Sequence, residues 1–183
     1  MLITISGTPG SGKTTVARLL AQRLGVEHVY AGDFYRREAE ARGLSLEAFN
    51  KLTEQDHSVD RALDAKMAEV ARIGGVVLEG RLAAFLAVQE HLDALKVWVT
   101  ASDDVRAERV SQREGGDKLA LLHVNDARQR SDAKRYREIY GFDLDDLSIY
   151  DLVLTSDNES PETLADKILA AARRRFGPEG ARR

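Results

Sequence analysis

Residues 7–14 decide the fold: Gly7-Thr8-Pro9-Gly10-Ser11-Gly12-Lys13-Thr14 fits the pattern G-x-x-x-x-G-K-[ST]. An apolar run, Leu2 to Ile5, precedes it and predicts a buried strand, and Thr15 to Leu24 follows with the periodicity of a helix. The glycines allow the backbone to curl so that successive N–H groups face an anion, and the helix adds its positive end. The stretch therefore predicts a site for nucleotide phosphates; the alternative is a glycine turn that only joins strand to helix.

Two side chains of this stretch have chemistry of their own. The Lys13 ammonium can reach the β- and γ-phosphates, and the Thr14 hydroxyl can ligate Mg²⁺. We expect ATP to be bound by the loop and the first helical residues, namely Gly7, Thr8, Pro9, Gly10, Ser11, Gly12, Lys13, Thr14 and Thr15.

Composition limits the classes of protein to consider. Hydrophobic residues make up 43% of the 183 residues, which is ample for one globular domain. The net charge of -3 argues against nucleic-acid binding by bulk electrostatics, and the lack of cysteine excludes disulfides, thiolate metal sites and a cysteine nucleophile. No apolar run is long enough to span a bilayer and no signal peptide is recognisable, so we expect a cytoplasmic protein without a membrane partner.

Short apolar runs alternate with helical stretches along the chain. Continuous rather than alternating apolar runs are typical of strands buried on both faces of a parallel sheet. The sequence therefore predicts an α/β fold of the P-loop NTPase type, with three layers, a central parallel sheet of about five strands, and ligands at the carboxyl ends of the strands. The strand candidates are Leu2 to Ile5, Val76 to Leu78, Leu95 to Val99, Leu152 to Leu154 and, more weakly, Glu27 to Tyr30.

Two helical insertions interrupt this alternation, at about 34–73 and about 105–140. We expect a single domain over 1–176 and a disordered tail over 177–183, because the tail has glycine, proline and charge but no periodicity.

Two polar segments follow predicted strands, where substrates bind in such folds. Gly32, Asp33 and Arg36 come after the second strand; Asp33 can cap the next helix, and a capped helix with an exposed arginine is the alternative. Glu79-Gly80-Arg81 ends a buried run, so Glu79 can hold Mg²⁺ through water and Arg81 can meet a substrate. A surface ion pair is the alternative for Glu79 and Arg81.

The second insertion is rich in arginine. One predicted helix face carries Arg106, Arg109 and Arg113, and another carries Arg128, Asp132 and Arg135. The alternative is a solvated face with intrahelical pairs, each worth ~0.3 to 0.5 kcal/mol. Transfer between two phosphate groups, however, needs their mutual repulsion neutralised, and arginine grips phosphate oxygens in a planar fork.

With these motifs in place, the chain resembles the nucleoside monophosphate kinases, and most closely the archaeal-type cytidylate kinases. The resemblance implies transfer of the γ-phosphoryl group of ATP to CMP or dCMP with Mg²⁺, an acceptor-binding insertion at 34–73 and a lid at 105–140. It extends over nearly the whole chain and is based on residues 7–15, 31–36, 78–82, 133–141 and 145–151.

The resemblance also implies roles for single residues. Asp132 could accept a hydrogen bond from the exocyclic amine of cytosine, which uracil lacks. Thr14 and, through water, Glu79 would hold the metal. The implied catalytic residues are Lys13, Arg109, Arg113 and Arg128, and the implied substrate-binding residues are Gly32, Asp33, Arg36, Gly80, Arg81, Arg128, Asp132 and Arg135.

Other functions stay open at this point. A kinase for adenylate, or for an alcohol such as shikimate, would share the architecture, and Asp33 could be the base for an alcohol. A nucleotide-dependent, RNA-associated ATPase is a further alternative, in which Arg173 to Arg175 and Arg182-Arg183 would bind RNA. In the simpler interpretation these arginines end the last helix and a solvated tail. We expect a monomer with small-molecule substrates and no nucleic-acid partner.

Overall fold

The computed structural model describes residues 1–180, except for the side chains at positions 114, 119, 128 and 178–180. Within them, five strands form one sheet in the order β2-β3-β1-β4-β5, and every neighbouring pair is parallel. The strands are β1 (Leu2–Gly7), β2 (Glu27–Tyr30), β3 (Val76–Glu79), β4 (Ala94–Thr100) and β5 (Leu152–Thr155). The predicted fold class is confirmed, including the weakest strand.

Helices connect and cover the strands. Local signals set their ends: Asp56 and Asp117 each accept a backbone N–H at a helix start, and Gly25 and Gly141 end helices with φ of 66° and 65°. In the described part of the chain the helices are α1 (Lys13–Leu24), α2 (Ala31–Ala41), α3 (Leu46–Gln55), α4 (His57–Ile73), α5 (Ala83–Gln89), α6 (Asp103–Glu114), α7 (Lys118–Tyr140) and α8 (Pro161–Gly180), with a 3₁₀ turn at Leu147–Ile149.

Apolar side chains on both faces of the sheet hold the three layers together. Ile3, Ile5 and Val97 are fully buried with α1 and α8 on one face, and Leu78 is fully buried with α4 and α5 on the other. Each such side chain stabilises the fold by about 1.5–3 kcal/mol relative to exposure. This two-sided burial explains the continuous apolar runs in the sequence.

The first insertion consists of α2, α3 and α4, and it has a small core of its own around Phe49, which is fully buried. The second insertion consists of α6 and α7. The division into a domain at 1–176 and a tail at 177–183 stays a prediction. Helical geometry in α8 is broken at Gly177 (φ 76°, ψ 169°), and residues 181–183 of the predicted tail lie outside the described residues.

One local prediction is wrong. Helix α2 begins already at Ala31, with Tyr30 at the N-cap position, so Asp33 lies inside the first turn and does not cap the helix. Among residues 1–180, no helix combines the length and the apolar character needed to cross a membrane.

Candidate active site

The loop between β1 and α1 requires glycine at several points. A Cβ atom on Gly7 would lie 1.9 Å from the Val99 carbonyl oxygen, and one on Gly10 would lie 2.9 Å from the Arg106 carbonyl oxygen. Gly10 and Gly12 also have φ near 80°, which other residues rarely adopt. The loop is thus packed tightly between β4 and α6, with its backbone curled at the start of α1.

Hydrogen bonds hold this loop in place. The Ser11 N–H donates to the Thr8 carbonyl at 3.3 Å, and Lys13 Nζ donates to the same carbonyl at 3.2 Å. From β5, Ser156 Oγ donates to the Ser11 carbonyl at 2.8 Å. A backbone cradle with a lysine folded across it, at the positive end of a 12-residue helix, is suited to binding phosphate.

Beside the cradle, Glu79 is fully buried at the end of β3. Its Oε1 accepts a hydrogen bond from Thr14 Oγ1 at 2.6 Å, and its Oε2 lies 2.9 Å from Nε2 of His28 on β2. A hydroxyl and a carboxylate side by side next to a phosphate cradle fit Mg²⁺, which takes few protein oxygens and keeps waters and phosphates as its other ligands. Thr14 and Glu79 could therefore hold the predicted metal, and His28 is placed to orient the carboxylate.

The next strand end leads into a buried cluster of charges. Arg81, directly after β3, forms an ion pair with Oδ2 of Asp132 on α7. Arg135 donates to Oδ1 of the same carboxylate at 2.7 Å, and its Nε lies 3.0 Å from Oδ2 of Asp60 on α4. Burial alone would lower the pKa of Arg135, but the carboxylates of Asp132 and Asp60 raise it above its ordinary value. The cluster therefore fixes two guanidinium groups in position near the carboxyl end of β3.

One small cavity joins the loop to this cluster. Arg81 and the loop residues Gly7, Thr8 and Pro9 all line it. Trp98, Gln129 and Leu144 complete its walls. The cavity has a volume of about 10 Å³, enough for about one water molecule, and it brings a guanidinium group and the phosphate cradle to the same space.

The arginines of α6 also reach the loop. Arg109 donates to Ser156 Oγ and to the Ser156 carbonyl, both at 2.8 Å, and to the Ser11 carbonyl at 3.4 Å. Arg106, which is buried, donates to the Pro9 carbonyl at 2.8 Å and pairs with Asp103. Arg106 therefore braces the loop, whereas Arg109 lies along its rim.

Arg36, Arg113 and Arg128 are the remaining arginines of the predicted site. Arg36 pairs with Asp33 at 2.5 Å and lies 5.1 Å from the centre of the Tyr30 ring, and both members of the pair are about half exposed. Arg113 is in the last turn of α6. Arg128 belongs to α7, but its side chain lies outside the described residues. Their roles stay predictions.

Sequence reasoning missed four side chains: His28, Asp60, Asp64 and Ser156. The signal for two of them was available, because Asp60 and Asp64 stand at i and i+4 on α4 beside the buried Leu63 and Met67. Charged residues next to an apolar stripe indicate a buried polar cluster. His28 and Ser156 had no such signal, since their partners are distant in sequence: Glu79 at the end of β3 for His28, and Ser11 in the loop and Arg109 on α6 for Ser156.

Comparisons with known proteins agree on one family. The model of the cytidylate kinase-like family matches residues 2–158. The chain is 48% identical over 180 residues to the cytidylate kinase of Methanopyrus kandleri, covering 94% of this chain and 92% of the relative. It is 42% identical over 172 residues to the cytidylate kinase of Methanocaldococcus jannaschii, covering 93% and 97%.

Solved structures show the same fold at lower identity. The shikimate kinase from Bacteroides thetaiotaomicron superposes with a TM-score of 0.57 at 15% identity, covering 93% of this chain and 97% of that chain. An identity this low shows that the two chains share a fold, but it does not show which acceptor molecule this chain would use.

Proposed function

The chain belongs to the cytidylate kinase-like family, and from this premise we propose that it transfers the γ-phosphoryl group of ATP to CMP or dCMP, giving ADP and CDP or dCDP. The observation that carries the proposal is that Arg81 and the loop residues Gly7, Thr8 and Pro9 line one cavity. We place the donor phosphates against the loop and the acceptor phosphate against Arg81.

The donor side is built from the backbone cradle, Lys13 and Arg109. Lys13 stands over the loop and would follow the γ-phosphoryl group as it moves, and Arg109 on the rim of the loop would neutralise the developing charge. In this reaction class a single arginine can be worth on the order of 10³ to 10⁵ in rate. Arg113 and Arg128 are proposed for the same role from the lid.

The acceptor side is built from Arg81 and Arg135, with Arg36 and Asp33 proposed at its outer edge. Asp132 pairs with both guanidinium groups, and we place the acceptor phosphate against Arg81. The three nitrogens of Arg135 lie against Asp60, Ser131 and Asp132, so Arg135 is proposed to contribute its charge and to hold Asp132 in position. The acceptor phosphate is itself anionic at neutral pH, so one of its oxygens attacks phosphorus directly and no side chain forms a covalent intermediate. The protein contributes position and charge neutralisation.

Thr14 and Glu79 would hold Mg²⁺, which supplies further neutralisation of the phosphate oxygens when it is bound. Other finer points are proposals as well: ATP as the donor, a monomer in the cytoplasm, and small molecules as the only substrates. The net charge of -3 supports the absence of a nucleic-acid partner, and the lack of cysteine agrees with a reducing compartment such as the cytoplasm.

Steady-state kinetics across CMP, dCMP, UMP, AMP, dTMP and shikimate at fixed MgATP tests the proposal. We expect ADP release and formation of CDP or dCDP, with the highest kcat/KM for one of the two cytidylates. The Lys13→Ala variant is the control and should keep the fold but lose turnover. A preference for AMP or shikimate, or ATP hydrolysis stimulated by RNA alone, would overturn the proposal.

A further inference from the structure

A second cavity opens beside Arg81, on the side away from the phosphate loop. It has a volume of about 40 Å³, room for one edge of a planar ring but not for a whole ring. Ala31, Met67 and Leu78 give it apolar walls, and Arg81, Asp64 and Tyr136 are its polar or aromatic members. Arg81 lines both cavities, so this one adjoins the proposed site of the acceptor phosphate.

Asp64 is the carboxyl group of this cavity, and its orientation is fixed. Tyr140 on α7 donates its hydroxyl hydrogen to Asp64 Oδ2 at 2.8 Å. The other oxygen, Oδ1, is left to face a ligand. The charged and titratable groups around Asp64 are Asp60 on its own helix, Asp132, Arg135, Tyr136 and Tyr140 on α7, and Arg81 after β3.

The Asp64 carboxyl holds its proton more tightly than an ordinary aspartate does. Burial raises the pKa of Asp64 to about 7, with Asp60 and Asp132 adding to the rise and the Tyr140 hydrogen bond and Arg135 opposing it. A neutral carboxyl has one O–H donor and one carbonyl acceptor, whereas an ionised one only accepts.

We propose that Asp64 recognises the base of the acceptor nucleotide, donating a hydrogen bond to N3 of cytosine and accepting one from its exocyclic amine. The inference rests on the proposed function and names the residue that gives it base specificity. Because Tyr140 donates to Oδ2, that oxygen acts as the carbonyl and accepts the amine, and Oδ1 keeps the proton for N3. Uracil in the same position would set its O4 against Oδ2 and its N3–H against the Oδ1 proton, so both hydrogen bonds would be lost.

Asp132, the residue suggested by family resemblance, is less suited to this role in the structure. Its Oδ1 accepts a hydrogen bond from Arg135, and its Oδ2 forms an ion pair with Arg81. Asp132 therefore positions the two arginines, and Asp64 has the free oxygen that lines a cavity.

The Asp64→Ala and Asp64→Asn variants test the assignment together. Alanine removes both hydrogen bonds and should lower the ratio of kcat/KM for CMP over UMP at least tenfold, with KM for ATP changed less than threefold. Asparagine keeps one donor and one acceptor at every pH and should retain most of that ratio. Titration calorimetry with CMP in the absence of ATP should show tight binding to the wild type and to Asp64→Asn and weaker binding to Asp64→Ala. This measurement separates base binding from turnover.

The pH profile gives a further measurement. In the wild type KM for CMP should rise above about pH 7, as Asp64 ionises, whereas in Asp64→Asn it should not. The second ionisation of the acceptor phosphate, at about pH 6, affects both proteins equally and cancels in the ratio of their KM values.

The outcomes separate the two proposals. A wild-type enzyme that neither binds nor phosphorylates CMP ends the proposed function. A wild-type enzyme that prefers CMP, with Asp64→Ala keeping the CMP-over-UMP ratio within twofold, overturns the assignment of Asp64 alone. If Asp64→Ala does not fold, the comparison of Asp64→Asn with the wild type decides. Parallel pH profiles of KM for CMP in the two proteins overturn the assignment of Asp64. A rise of KM above about pH 7 that occurs in the wild type and not in Asp64→Asn supports it.

Discussion

Arg135 on α7 and Asp60 on α4 form an ion pair, with Nε 3.0 Å from Oδ2, in which the two residues are only 2% and 4% exposed. The pair joins the two helical insertions across the acceptor side of the site. Desolvation of both charges is costly, so the arrangement is stable only while each charge keeps its partners.

Removal of Asp60 should therefore destabilise the protein strongly. Asp60→Ala leaves the buried Arg135 with Asp132 as its remaining carboxylate partner, and we expect the free energy of unfolding in urea to fall by about 3 kcal/mol or more. Glu47→Ala is the matched control, because Glu47 pairs with Lys51 on an exposed helix face. That variant should lose less than about 1 kcal/mol. Equal losses in the two variants would show that the buried pair contributes no more to the free energy of unfolding than the exposed pair does.

Arg81→Ala should separate the two substrates. The variant loses the guanidinium that faces the phosphate loop, so KM for CMP should rise about a hundredfold while KM for ATP rises less than threefold. Arg72→Ala removes an exposed arginine, paired with Glu90 at the far end of α4, and should change neither value. Equal increases of both KM values in Arg81→Ala would contradict the acceptor role.

His28 should act on the metal site through Glu79. His28→Phe removes the group that lies 2.9 Å from Glu79 Oε2, whereas His28→Gln keeps a donor there. Loss of such a supporting partner costs about 10–100-fold in metal affinity or activity. We expect a tenfold or greater rise in the Mg²⁺ concentration for half-maximal rate in His28→Phe, and recovery in His28→Gln. Mn²⁺ binding to the nucleotide complex, followed by electron paramagnetic resonance, should change in the same order.

The prediction of the fold from sequence worked because its signals are local. Continuous apolar runs indicated four of the five strands clearly. The loop at Gly7 to Thr14 is a contiguous motif in which Gly7 and Gly10 avoid steric clashes and Gly10 and Gly12 have a positive φ. Even the short strand at Glu27–Tyr30 could be found, since it completes the alternation of strand and helix.

The site was harder to predict, because its contacts join distant parts of the chain. Asp60 meets Arg135 from 75 positions away, and His28 meets Glu79 from 51 positions away. Spacing placed Asp132 and Arg135 on one helix face correctly, but it could not show that both are buried or that Asp132 binds Arg81. Pairings of this kind depend on how the two insertions pack against the sheet.

Glycine substitutions test the packing of the phosphate loop. Gly7→Ala would set a Cβ atom 1.9 Å from the Val99 carbonyl oxygen, a contact that only a shift of backbone could relieve. Gly25→Ala meets nothing within 4 Å and is strained only by its φ of 66°, a cost of about 1–2 kcal/mol. We expect Gly7→Ala to lower the thermal midpoint much further than Gly25→Ala, or to prevent soluble expression. A midpoint for Gly7→Ala at or above that of Gly25→Ala would contradict the close contact between loop and β4.

The titration of Asp64 should appear in stability as well as in substrate binding. Burial raises the pKa of Asp64 from its ordinary value of 3.8 to about 7 in the folded protein, so between these values the folded state binds more protons than the unfolded state. The stabilisation is fully present below about pH 4 and is lost as the pH rises through about 7. The free energy of unfolding of the wild type should therefore fall over this window relative to Asp64→Asn, which has no carboxyl at this position to titrate. Groups far from Asp64 titrate alike in the two proteins and cancel in the difference. A difference that stays constant from pH 4 to 8.5 would show that Asp64 is ionised throughout.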